Sequence, residues 1–167
     1  MAKTATPTIE SFVAELSKAA ANPDSTVRDC TAIKPGQHAR QGDVYVHCIS
    51  ATPDLKAKPA AWDIPVPEST QVALGQTMGS RHCAEGAQVF WPKSKDEALK
   101  QCPIKGLMKN RTAEVQDSEI QTMLGPIVVA DKSWTLSHPE HAHCTFPAGV
   151  YFVSYQFDER TRREVRD

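Results

Sequence analysis

Asp43-Val44-Tyr45-Val46-His47-Cys48-Ile49-Ser50 is the stretch on which the fold turns. Successive side chains of an extended strand point to opposite faces, which here gives Val44, Val46 and Cys48 on one side and Tyr45, His47 and Ile49 on the other. Both faces are largely apolar, so the strand must be covered on both sides and is predicted to be central in its sheet. Residues 150–157 have the same character, with Val150 and Phe152 on one face and Tyr151, Val153, Tyr155 and Phe157 on the other. From Lys34-Pro35-Gly36 onward, turn residues alternate with short runs of β-branched and aromatic residues. Further strands are predicted at 71–74, 81–84, 87–91, 127–130 and 134–136. The expected class is mainly β: an antiparallel β-sandwich or small barrel with an N-terminal helix and long loops.

Working outward, Ile9, Phe12, Val13 and Leu16 fall on one face of a helix predicted over residues 7–21, with Pro7 in its first turn and Thr6 as its cap. Asn22-Pro23-Asp24 stops it. The chain thus divides into an N-terminal helix and linker (1–33), a β-domain (34–157) and a charged tail (158–167). Two insertions interrupt the β-pattern. Residues 52–69 hold Pro53, Pro59, Pro65 and Pro67, which predicts an extended surface loop outside any ladder, anchored by Trp62. Ser94-Lys95-Asp96-Glu97 is a capping box that starts a short helix to about Gln101, and a long loop follows through Cys102-Pro103 and Gly106. Arg160, Arg162, Arg163 and Arg166 make the tail either a solvated end or an arm for an acidic neighbour.

A length of 167 residues suits one domain with a real core. Nineteen Lys and Arg against 20 Asp and Glu give no global electrostatic case for nucleic acid or a membrane surface. Apolar runs such as 126–130 are too short to span a bilayer, and the start lacks the apolar segment of a secretory signal. A cytoplasmic or virion location is therefore expected. Five cysteines without a C-x-x-C spacing argue against a disulfide framework or zinc ribbon and for reduced thiols. No G-x-S-x-G elbow, phosphate loop or dinucleotide fingerprint is present.

The chemistry that remains is imidazole. A histidine directly precedes a cysteine at His47-Cys48, His82-Cys83 and His143-Cys144, where random placement of 6 His and 5 Cys gives about 0.2 such pairs. On strands, these pairs can line one face with imidazoles and the other with thiols. The densest cluster is Ser137-His138-Pro139-Glu140-His141-Ala142-His143. His138, His141 and His143, with Glu140, are donors that zinc, iron, manganese or nickel accept. His82 and Glu85 can add ligands from another strand, and His47 one more. Pro139 argues against the helical geometry of H-E-x-x-H hydrolases. The alternative is a His-rich turn that only hydrogen-bonds to backbone, beside cysteines that act as small inert hydrophobes.

The segments Arg40-Gln41-Gly42-Asp43-Val44, Gly79-Ser80-Arg81-His82, Leu136-Ser137-His138-Pro139-Glu140-His141-Ala142 and Phe146-Pro147-Ala148-Gly149-Val150-Tyr151 stand in that order over residues 40–156. They resemble a family of small bacterial and phage proteins with the segments RQGDV, G-[HS]-x-H, L-[ST]-H-x-E-H-A and L-P-x-G-x-Y. The resemblance implies a shared β-domain and a phage setting, and carries over no catalytic residue. Ser80 stands where some members have His. Gly79-x-x-His82-x-x-Glu85 and the later Pro147-x-Gly149 turn also resemble cupins, without the His-x-His pair. Two functions follow as expectations: a non-enzymatic binding or assembly protein, forming a homo-oligomer or joining an assembly partner, or a metal-dependent enzyme of cupin-like or other β-fold.

Overall fold

The computed structural model describes residues 28–66, 71–74, 81–103, 117–158 and 163–164. The helix expected at 7–21 lies outside them, as do the loop at 104–116 and most of the tail. The strands in chain order are β1 (Arg28–Asp29), β2 (His38–Gln41), β3 (Val44–Ser50), β4 (Trp62–Pro65), β5 (Gln71–Leu74), β6 (Arg81–Glu85), β7 (Gln88–Pro92), β8 (Leu124–Ala130), β9 (Trp134–Ser137), β10 (Cys144–Phe146), β11 (Gly149–Tyr155), β12 (Phe157–Asp158) and β13 (Arg163–Glu164). Helices α1 (Lys95–Lys100) and α2 (Asp117–Met123) lie between β7 and β8.

A six-stranded sheet in the order β2-β3-β11-β8-β7-β4 faces a five-stranded sheet in the order β1-β10-β9-β6-β5. All ladders are antiparallel except β1 with β10. The architecture is a mainly β sandwich, not a closed barrel. The two strands that are apolar on both faces, β3 and β11, pair in the middle of the larger sheet. Val44, Val46, Cys48, Tyr151 and Val153 turn inward, meeting Val72, Ala84, Trp134, Leu136, Cys144 and Phe146 of the smaller sheet in one core. Phe152 and Val150 turn outward into a second core with Ile127, Trp62, Leu99, Ile120 and Met123, so the two helices cover the outer face. The two-sided coverage predicted for residues 43–50 is uneven: Val44, Val46 and Cys48 are buried against the smaller sheet, whereas Tyr45, His47 and Ile49 are half-buried, with Ile49 packed against the second core.

Two glycines fix the turns that matter below. Gly42 has φ 56 in the two-residue connection from β2 to β3, where Gln41 pairs with Val44. Gly149 has φ 156, and a Cβ there would lie 2.5 Å from the Ser50 carbonyl, beside the register shift between Val150 and Tyr151. The Tyr151 hydroxyl donates back to the Pro147 carbonyl at 2.8 Å, so the segment 146–151 acts as a structural corner.

Several expectations are corrected. The proline-rich segment 52–69 is not wholly outside the sheet: Trp62–Pro65 joins β7 as β4, with a register shift between Trp62 and Ile64. It can do so because it is the edge strand, where a missing proline N–H costs no ladder bond. The predicted strand 150–157 ends at Tyr155, where the Gln156 amide makes one further in-register bond, donating to the Asp43 carbonyl at 2.7 Å. The sheet also begins earlier than residue 34, since β1 lies within the expected linker. The short helix after Ser94 is present, though the Ser94 side chain makes no capping hydrogen bond. Part of the tail is ordered as the β12 and β13 pair.

Candidate metal centre

At one end of the sandwich, β6, the β2–β3 turn and the β9–β10 loop meet. β6 alternates, so His82 and Ala84 face inward while Arg81 and Glu85 are exposed. The same period runs off the end of β9: Leu136 is inward, Ser137 half-buried, and His138 inward again at 2% exposure. Pro139 and Glu140 then turn the chain outward, and His141 returns to the cluster half-buried. The potential ligand atoms of His82, His138 and His141 all lie within 4.8 Å of one another. The His138 ring lies between the other two, with centroids 4.4 Å from each, and His82 and His141 are 6.0 Å apart.

The β2–β3 turn supplies a polar collar. Asp43, 2% exposed, places Oδ1 3.9 Å from His82 Nδ1. Gln41, 4% exposed, donates from Nε2 to the carbonyls of Leu136 at 3.1 Å and Ala142 at 2.6 Å, which pins both ends of the histidine loop. Its Oε1 is buried with no hydrogen-bond partner among the described residues. A buried histidine and a buried carboxylate are each costly to keep away from water, so their juxtaposition marks a place where packing has been subordinated to polar chemistry.

The donor set fits a transition metal in kind. Neutral imidazoles bind zinc, iron or nickel, and three protein ligands with one open position are the usual catalytic or accessible arrangement. Two nitrogens on one tetrahedral zinc lie roughly 3.3 Å apart, and ligand atoms all within 4.8 Å of one another are near enough for side-chain adjustment to bring them onto one ion. One contact must also change. The Glu140 amide donates to His138 Nδ1 at 3.1 Å, which in a neutral ring puts the proton on Nε2. A metal at Nδ1 takes the amide's acceptor, and a metal at Nε2 moves the proton to Nδ1, where it faces the amide hydrogen. Either way that hydrogen bond is lost.

Of the predicted ligands, His82, His138 and His141 converge, whereas His143, Glu85 and Glu140 lie outside the cluster. Cys144 packs in the inter-sheet core, so the preceding His143 is turned away by the strand period. Glu85 is on the outward side of β6, where its carboxylate accepts a hydrogen bond from Ser137 Oγ at 2.5 Å. Glu140 is exposed and contributes its backbone amide instead of its carboxylate. His47 is on the outward face of β3, with Nε2 2.8 Å from Ser154 Oγ, and burial together with His38 pushes its pKa down to about 4. The His-Cys pairs therefore do not share one arrangement: Cys48 and Cys144 point into the core, whereas at the middle pair His82 does. Burial pushes the Cys48 thiol up and that of Cys144 to about 11, as expected of inert core cysteines.

Gln41 and Asp43 had no assigned role in the sequence. The one available signal was their place in the quoted segment 40–44, because polar residues flanking the glycine of a two-residue turn are locally expected to be exposed. Three of the four segments quoted from the sequence meet here: 40–44 gives Gln41 and Asp43, 79–82 gives His82, and 136–142 gives His138 and His141.

Among the described residues no helix is long and apolar enough to cross a membrane. Comparison of the chain with protein-family models, with curated proteins and with solved structures gives no match in any of the three.

Proposed function

We propose that the chain is a non-enzymatic binding protein that takes one divalent transition metal ion at His82, His138 and His141, the ion tying β6 to the β9–β10 loop. The observation that carries this reading is the convergence of three imidazoles, two of them buried, with ligand atoms within 4.8 Å of one another. Zinc, iron, manganese and nickel are the candidates. Hard cations such as calcium and magnesium prefer oxygen donors and suit the triad poorly. Because the ion binds the folded arrangement and not the unfolded chain, it adds to stability in proportion to the logarithm of its concentration over Kd. The resemblance to bacterial and phage proteins supports a role in an assembly, cytoplasmic or virion-borne, to which the metal-fixed loop presents exposed Glu140. A strict monomer in light scattering at all concentrations contradicts the assembly part.

A metal-dependent enzyme is the second reading, favoured by one observation: a cleft of about 420 Å³ reaches the triad through His141. An open coordination position there can hold water or a small substrate. The carboxylates expected as ligands, Glu85 and Glu140, lie outside the cluster, so Asp43 beside His82 is the carboxylate to test as general base. Titration of the metal-free full chain with zinc in a calorimeter tests both readings at once. One equivalent bound by the native protein and none by the His141→Ala variant supports the site, and no heat with the native protein overturns it.

A further inference from the structure

The cleft beside the triad has a chemistry of its own. It is lined by Arg28, Arg40, Gln41, Gly42, His141, Ala142 and Cys144, so two arginines and no acidic residue are among its walls. Among the described residues neither arginine forms an ion pair with an acidic side chain. Arg40 is held in place from several directions. Its Nε donates to the Gly42 carbonyl at 2.7 Å, its Nη2 to Gln156 Oε1 at 2.5 Å, and its guanidinium lies 5.4 Å from the centroid of the Tyr45 ring. Arg28 Nη1 in turn donates to the Arg40 backbone carbonyl at 3.1 Å, which holds the Arg28 guanidinium against the edge of β2. With no acidic residue among the walls of the cleft, a bound anion would offset the positive charge there. The guanidinium fork matches planar carboxylates and tetrahedral oxyanions alike. His141, the solvent-facing member of the triad, is also a wall of the cleft, so an anion held by the arginines adjoins the metal position.

We infer that this cleft is a binding site for a small oxyanion, held by Arg28 and Arg40 next to the histidine triad. The arginine site stands on the cleft and its charge alone; the adjacency to a metal rests on the function proposed above. A volume of about 420 Å³ admits a small metabolite or a terminal carboxylate or phosphate group. Sulfate and malonate are the probes that separate the two anion shapes.

The test is a titration of the isotopically labelled full chain, followed by the backbone amide signals of Gly42 and Ala142, once metal-free and once with zinc. The site predicts saturable shifts at both amides with malonate, with sulfate or with both, and the stronger of the two assigns the anion class. Arg28→Gln is expected to weaken that binding by about tenfold or more, while Arg28→Lys, which keeps the charge, retains part of it. Arg28→Gln leaves zinc stoichiometry unchanged, since Arg28 is not in the triad. No shift with either anion in either state overturns the proposal, as does equal affinity in Arg28→Gln. If the chain takes up no zinc, the metal-free titration still decides the anion site, and only the metal reading falls.

Discussion

His82, His138 and His141 at the end of the sandwich and His38 with His47 on the outward face of the larger sheet are both sets of neighbouring imidazoles, yet their surroundings differ in kind. His38 and His47 are direct cross-strand partners with ring centroids 5.3 Å apart. Around them lie Tyr45 and Phe152, and the Ser154 hydroxyl meets His47. This second set has only two imidazoles and no carboxylate in ion-pair range among the described residues. Burial holds His47 neutral down to about pH 4. The triad instead combines three rings with a buried carboxylate and with a glutamine that pins the loop. Proximity of imidazoles arises from strand pairing alone; convergence with buried polar partners requires three separate chain segments to arrive together, and that is what distinguishes a binding site from packing.

The sharpest way to break this contrast is to exchange ligands between the two regions. His138→Ala removes the central ring and is expected to lower zinc affinity by at least about a hundredfold, roughly 2.7 kcal/mol, whereas His47→Ala leaves it unchanged in the same calorimetric titration. Equal losses would erase the distinction.

Acid titration of stability comes next. His47 has a folded pKa of about 4 against an ordinary 6.5, so the unfolded chain takes up this proton first. The stability from keeping it neutral is fully present above pH 6.5 and is lost as pH falls toward 4, by about 2 kcal/mol once partial solvent access is discounted. Chemical denaturation across that range should show the loss in the native chain and a smaller one in His47→Phe. An identical pH profile in the variant contradicts the assignment.

Smaller effects sharpen the comparison further. Asp43→Asn keeps the shape of the turn but removes the negative charge near His82, and should weaken zinc binding about tenfold without altering the fold, measured by calorimetry and circular dichroism. Ser154→Ala, which takes away the partner of His47, should cost about 1 kcal/mol in denaturant unfolding and leave zinc affinity intact.

How much of this was legible in the sequence differs between the two regions as well. The double-sided strand pattern at 43–50 identified the central strand, and local alternation correctly implied that Cys48 and His47 part company. Three of the proposed ligands, His82, His138 and His141, were visible as donor-rich segments. What could not be read was the path of the loop. His141 and His143 share a phase on an extended segment, so which of them faces His82 is set by the bend at 139–141, outside the β9–β10 ladder that pairs Cys144 with Leu136. Asp43 and Gln41 were hidden for a similar reason, since their burial comes from the smaller sheet and its loops closing over a turn that, taken locally, belongs in solvent. The proline-rich strand β4 escaped because proline forbids a central strand but not an edge, and edge position is a property of the whole sheet.

The central claim, that three imidazoles from β6 and the β9–β10 loop form a metal centre, is tested most directly by elemental analysis of the full chain purified without an affinity tag. A metal centre at the triad predicts close to one equivalent of a transition metal per chain, lost in the variant carrying His82→Ala and His141→Ala together. A native protein that emerges free of metal, and whose melting temperature does not move when zinc, iron, manganese or nickel is added, would contradict it.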